Sequence, residues 1–215
     1  MNIPVLYEDA WFIILDKPSG LLTIPTPKRE SRTLTSILDD DAKEKGASYR
    51  VHPCHRLDRE TSGVIIYAKG KSPQQKMMHV FHERKVKKVY LAFVRGSMEH
   101  ADGVITKHIE GAPAETRYRL LEKRNGYSVV EVYPVTGRTN QIRIHFGFAG
   151  HPILGETKFA FRRDFIVRAK RLCLHALSVE FIHPVTKQKV FVQAPLPPDL
   201  TAFLESQKKK KNYLF

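Results

Sequence analysis

The chain lacks the features that mark secreted, membrane-spanning and metal-dependent proteins. Its only cysteines, Cys54 and Cys173, are far apart in sequence, so no disulfide framework is implied and a reducing cytoplasm is the expected setting. No apolar run approaches the ~18–20 residues that cross a bilayer. Met1-Asn2-Ile3-Pro4 has neither the basic nor the apolar region of a secretory signal. His52-Pro53-Cys54-His55 crowds three possible metal ligands together, yet the C-x-x-C half of a zinc-deaminase pattern is missing and no metal is expected. Lys17-Pro18-Ser19-Gly20 lacks P-loop spacing, so no nucleotide cofactor is expected, and there is no G-x-S-x-G elbow.

Acidic residues are also scarce: 22 Asp and Glu stand against 36 Lys and Arg, for a formal charge of +14. Four of the cations form the run Lys208 to Lys211, read as a solvated basic tail over 207–215, and the rest of the chain keeps a large positive excess. Such an excess favours a polyanionic partner: nucleic acid, an anionic surface or a phosphorylated substrate. With 42 % hydrophobic residues in 215, the chain can bury one domain-sized core, taken to span 1–206.

The pattern of elements is strand-rich. Strands are expected over 5–7, 12–15, 64–68, 89–94, 103–109, 115–123, 127–135, 172–182 and 189–193, with Asn125-Gly126 as a hairpin turn. Residues 89–94 are apolar on both faces, as in a central strand. Helices are expected from an N-cap at Thr33 to Lys45, from Ser72 with Pro73 at its first position, from Asn140 to Ala149, and after Pro197-Pro198. Met77, Val80, Phe81 and Arg84 would share one helical face. An α+β domain on a largely antiparallel sheet follows.

Three constellations carry chemistry. In His55-Arg56-Leu57-Asp58-Arg59-Glu60-Thr61-Ser62-Gly63 a carboxylate lies between arginines, and neighbouring cations are expected to lower its pKa. Asp58 is a nucleophile or base, or else a member of a surface ion pair; Arg56 would reach a phosphate or wedge into a base stack. In Lys87 to Gly96, Tyr90 sits in an apolar strand with a basic entrance and either packs its ring or serves a nucleic-acid cleft by stacking or proton transfer. In Gly137 to His145 a tight turn leads into a helix start, a natural anion site, with Arg138 and Arg143 nearby. Arg143 would pair with a distant carboxylate or lie in a surface ion pair. Asp58 and Glu60 also suggest a two-carboxylate glycosidase, whose retaining pair stands about 5–5.5 Å apart, but arginines would keep both groups ionised and leave no acid.

These motifs resemble those of the RluA family of RNA pseudouridine synthases. His55 to Gly63 is similar to H-R-L-D-x-x-T-S-G. Glu8-Asp9 through Lys17-Pro18-Ser19-Gly20-Leu21-Leu22 resembles the family's N-terminal segment, with Asp16 where Asn is usual. Lys88 to Ala92 resembles K-x-Y-x-A. Gly137 to His145 resembles G-R-T-H-Q-I-R-x-H with Asn140 in place of His, and His151 to Glu156 resembles H-P-I-L-G-D with Glu for Asp.

The resemblance implies a pseudouridine-synthase-like fold, a largely antiparallel mixed sheet flanked by helices around a catalytic cleft. It implies isomerisation of uridine to pseudouridine in RNA without cofactor or metal. Asp58 falls on the family's invariant Asp, Tyr90 on its active-site Tyr and Arg143 on the carboxylate-pairing Arg. Arg56 falls on the Arg that fills the gap left by a flipped nucleotide. Arg138 and Ile142 are also expected to contact RNA. The departures at Asp16, Asn140 and Glu156 are expected to affect fine substrate contacts. The chain opens directly into the catalytic motifs, so the S4-like RNA-binding domain of some members is expected to be missing. A monomer acting on a tRNA arm or short rRNA stem-loop suits that layout. Arg143→Ala is expected to abolish turnover with a modest effect on stability. A catalytically silent RNA-binding or chaperone module on the same fold and a nucleoside hydrolase remain as alternatives.

Overall fold

A computed structural model describes residues 3–26, 30, 32–161 and 165–209, with side chains to 206. A 10-stranded sheet forms the frame: β1 (Val5–Glu8), β2 (Phe12–Lys17), β3 (Val51–Pro53), β4 (Ser62–Lys69), β5 (Lys87–Arg95), β6 (Asp102–Ile105), β7 (Thr116–Arg124), β8 (Tyr127–Pro134), β9 (Leu174–Ile182) and β10 (Lys189–Gln193). The helices are α1 (Leu34–Glu44), α2 (Lys71–His82), α3 (Gln141–Phe148) and α4 (Pro198–Lys209). Strand order is β1-β2-β4-β9-β5-β8-β7-β6, with β3 paired to β4 and β10 to β9. Every pairing is antiparallel except β4 with β9, which meet in parallel at Ser62 opposite His175 and Gly63 opposite Ala176.

That parallel seam divides the sheet into two halves and depends on one glycine. Gly63 has φ +111°, and a Cβ there would lie 2.1 Å from the Ala176 carbonyl oxygen. Only a residue without a side chain lets the two backbones approach so closely.

In the N-terminal half, residues alternate between the faces of β2 and β4 with the strand period of two. Phe12, Ile14, Val64, Ile66 and Ala68 pack with Met77 of α2, whereas Ile13, Leu15, Ile65 and Tyr67 pack with Leu34 and Leu38 of α1. The C-terminal half buries Ala92, Phe93, Val94, Val130, Val132, Ile142, Phe146 and Leu200, which joins α3 and α4 to β5 and β8. Strand β5 is central as expected, but only Ala92, Phe93 and Val94 are fully buried; its first half, with Tyr90, is half-buried and borders the cleft.

Local chemistry shifts several boundaries. Thr33 caps α1 in a capping box with Ser36, as the sequence suggests. Helix α2 begins at Lys71, so Pro73 is its third residue and not its first; it still falls in the turn whose N–H groups have no helical partner. Arg84 lies past the end of α2, exposed and with φ 57°, off the face formed by Met77, Val80 and Phe81. Strand β6 ends at Ile105, short of the expected 109. The backbone of α4 crosses the expected 206/207 boundary, and residues 210–215 of the expected tail lie outside the described residues. No helix among the described residues is long and apolar enough to cross a membrane.

Candidate active site

The loop between β3 and β4 carries His55 to Thr61 and is tied from beneath by the segment following β2. The fully buried Lys17 donates from Nζ to the carbonyls of Pro18, Leu21 and Arg59, at 3.0, 2.7 and 3.2 Å. Gly20 N donates to Arg59 O at 2.8 Å and Ser19 Oγ to Glu60 O at 2.6 Å. Thr23 Oγ1 donates to Leu57 O at 3.0 Å and accepts from Leu57 N at 3.3 Å. Burial pulls the Lys17 ammonium down to about 8, partly offset by the charges of Glu60 and Asp58. Within the loop, His55 Nε2 accepts from Ile66 N at 3.1 Å. Burial lowers its pKa to about 3, so it stays neutral as an anchor for the loop.

Asp58 lies in a cleft of about 610 Å³ whose lining includes Arg56, Phe81, Lys88, Tyr90, Arg138, Ile142 and Arg143. Helix α3 brings Arg143 to the carboxylate: its Nη1 lies 3.6 Å from Asp58 Oδ2. Arg143 is buried and has tighter partners. Glu156, with a side chain 1 % exposed, accepts bidentately from Nε at 2.7 Å and Nη2 at 2.8 Å. Nη1 also donates to Asn140 Oδ1 at 3.0 Å and to Glu60 Oε2 at 3.3 Å. An Nη1 with two hydrogens thus faces three acceptors, and Asp58 is the most distant.

This corrects the expected ionisation of Asp58. Its carboxyl is raised above the ordinary aspartate value: burial dominates, Glu60 adds to it, and Arg143 and Arg56 oppose it without cancelling it. The cations adjacent in sequence therefore do not give the low pKa read from the motif. Glu156 behaves oppositely. Burial alone would raise it, but Arg143 and the amides of Lys158 and Thr157 hold it below its usual value.

Tyr90 projects from β5 into the cleft, where burial and the charge of Asp58 push its hydroxyl well above the ordinary tyrosine value. A phenol so shifted keeps its proton, which argues against Tyr90 as a free base. Arg56 is exposed at the cleft with no ion pair within 4 Å among the described residues. Arg138 is exposed and donates from Nε to Pro113 O at 3.3 Å. Ile142 lines the cleft but is only 7 % exposed, since α3 turns it into the core.

The start of α3 is already filled by its own side chains. Asn140 has φ 54° and makes no cap bond; its amide oxygen goes to Arg143. Gln141 Oε1 accepts from Arg138 N at 3.0 Å and Thr136 Oγ1 at 2.6 Å, and its amide donates to Glu115 O and Thr116 Oγ1. The sequence reading missed Glu156, Asn140 and Glu60 as partners of Arg143. The signal for two of them was present: Asn140 and Glu156 are departures from the family motifs, and both meet on one guanidinium.

A cleft floored by a carboxylate, a buried arginine and an aromatic ring, and rimmed with cations, suits a reaction at a base drawn from a nucleic acid. Comparison with known proteins fits this class. The RNA pseudouridylate synthase family matches residues 11–147, and the chain belongs to that family. It is 33 % identical to the dual-specificity RNA pseudouridine synthase RluA of Pasteurella multocida, over 90 % of this chain and 93 % of that protein. It is 34 % identical to the ribosomal large subunit pseudouridine synthase D of Nitrosomonas europaea over 95 % of its own length, but spans only 65 % of that relative. Among solved structures, human RNA pseudouridylate synthase domain containing 4 superposes with a TM-score of 0.80 at 24 % identity, over 95 % of this chain and 92 % of that one.

Proposed function

We propose that this chain isomerises uridine to pseudouridine in a structured RNA, with Asp58 as the reacting group. The observation that carries the reading is the placement of Asp58 beside buried Arg143 in a cleft that also presents the Tyr90 ring and the cations Arg56, Arg84, Lys88 and Arg138. A uridine must leave its stack to reach that depth, at a cost of a few kcal/mol. Arg56, exposed and without an ion pair among the described residues, is placed to fill the gap, and the ring of Tyr90 offers a floor for the base.

Asp58 then either attacks C1′ or takes the C2′ proton, the C1′–N1 bond breaks, and the uracil turns until C5 faces C1′. Closing the C5–C1′ bond displaces Asp58 from C1′ in the first case and returns the proton to C2′ in the second; in both, C5 then loses one proton to solvent or a base while N1 gains one. Asp58 is the only carboxylate lining the cleft among the described residues, so we assign the C5 proton to it or to a water. The name of one relative supports a target in large-subunit ribosomal RNA, and a tRNA arm stays as the alternative target. We place the reaction in the cytoplasm, carried out by a monomer without metal or cofactor.

The test is Asp58→Asn. Pseudouridine formation should disappear while RNA affinity stays within a few-fold. A mutant that modifies RNA at the wild-type rate would remove Asp58 from the chemistry, and release of free uracil would indicate a nucleoside hydrolase. Mapping pseudouridines in total RNA from cells with and without the gene identifies the target.

A further inference from the structure

A second, smaller cavity of about 340 Å³ adjoins the cleft and shares Arg56, Asp58, Thr139, Asn140 and Arg143 with it. Its remaining walls bring in residues the proposed reaction does not use, Arg59, Glu60, Thr157 and Lys158. Four cations and two carboxylates line it, and one carboxylate, Glu60, is turned onto Arg143 at 3.3 Å.

Arg59 and Lys158 remain available for a ligand. Arg59 is exposed and donates from Nε to Gly20 O at 3.2 Å, and neither residue has an ion pair within 4 Å among the described residues. Lys158 Nζ sits 5.1 Å from the centroid of the Phe159 ring, and the Arg143 guanidinium carbon sits 5.3 Å from the same ring. Phe159 therefore positions a surface cation beside the buried one that serves Asp58. Cations interleaved with hydroxyls form the donor set that a phosphodiester satisfies, being singly charged and acceptor-only.

A uridine reacting at Asp58 remains in its strand and carries a phosphate on each side. The large cleft offers Arg84, Lys88 and Arg138 to one of them. The small cavity offers Arg59 and Lys158 to the other, and Asp58 lines both. We infer that the Arg59–Lys158 cavity is a phosphodiester subsite that holds one of the two backbone phosphates flanking the target uridine. The strand then crosses Asp58 from the Arg84 and Arg138 side to the Lys158 side. This inference rests on the proposed function.

The experiment pairs protein and RNA changes. A synthetic stem-loop containing the mapped uridine is made with a single uncharged methylphosphonate at the 5′ or the 3′ flanking position. Wild-type protein, Arg59→Ala and Lys158→Ala are assayed for Kd by filter binding and for KM and single-turnover rate. Each substitution should weaken Kd and KM by roughly three- to tenfold and lower the salt slope of binding by about 1. The saturating single-turnover rate should hold within about twofold. At one flanking position the methylphosphonate should weaken wild-type binding similarly and leave Lys158→Ala unaffected. Equal penalties for wild type and both variants at both positions would overturn the subsite, as would no penalty in wild type at either. Because Kd needs no turnover, a wild-type protein that binds this RNA but forms no pseudouridine would sink the function and still test the subsite.

Discussion

Arg143 is the residue on which the site turns, and its bonds lead to predictions for its neighbours. Glu60 competes with Asp58 for Nη1 and adds to the upward shift of the Asp58 carboxyl; Arg143 and Arg56 act against it, and Tyr90 and Lys17 also sense the Asp58 charge. In the proposed reaction the raised carboxyl must ionise first, so the acid limb of kcat/KM should lie above the ordinary aspartate range. Glu60→Gln should move that limb to lower pH; an unmoved limb would show that Glu60 does not tune Asp58. The sign for stability follows from the same shift. A raised folded-state pKa means that stability is present at low pH and lost as pH rises through it, so Asp58→Asn should be at least as stable as wild type at neutral pH, checked by thermal melts. Glu156 has the opposite sign: its contribution is complete at neutral pH and is lost as pH falls through its depressed value. Arg143→Ala leaves that buried carboxylate without its cation, so a loss of about 3–5 kcal/mol replaces the modest effect read from sequence, measurable by denaturant unfolding.

At the scale of elements, the sequence was legible wherever a local rule governs the backbone. Thr33 names its own cap, Asn125-Gly126 its hairpin, and the alternation along β4 its two faces. It was less legible where a distant partner decides. The Pro73 rule placed α2 two residues late, because Gly70 with φ 112° lets the helix start earlier. Asp58 looked charge-stabilised in its own nonapeptide, since burial is a property of the folded cleft and leaves no local signature. Arg143 and Glu156, by contrast, could be suspected only through motif order and motif departures. Gly63 combines both kinds of information, as the last letter of a motif and the contact point of the seam. Gly63→Ala must relieve a positive φ costing about 1–3 kcal/mol and a backbone overlap besides, so we expect loss of soluble folded protein; a normal melting curve would show that the seam can move apart.

For the whole molecule, five arginines and lysines and a single carboxylate, Asp58, line the cleft among the described residues. RNA affinity should therefore fall linearly on a log–log plot against salt, with a slope near −0.9 per neutralised phosphate in duplex regions. A salt-insensitive Kd would place the RNA elsewhere. The seam that forms the cleft also has a consequence for synthesis. Asp58 and its loop leave the ribosome early, yet Ser62 and Gly63 find their partners only in His175 and Ala176. Contacts of that sequence separation form late. The nascent chain thus exposes Asp58 well before the strand that completes the proposed site has been made, and the cleft can form only once β9 has emerged.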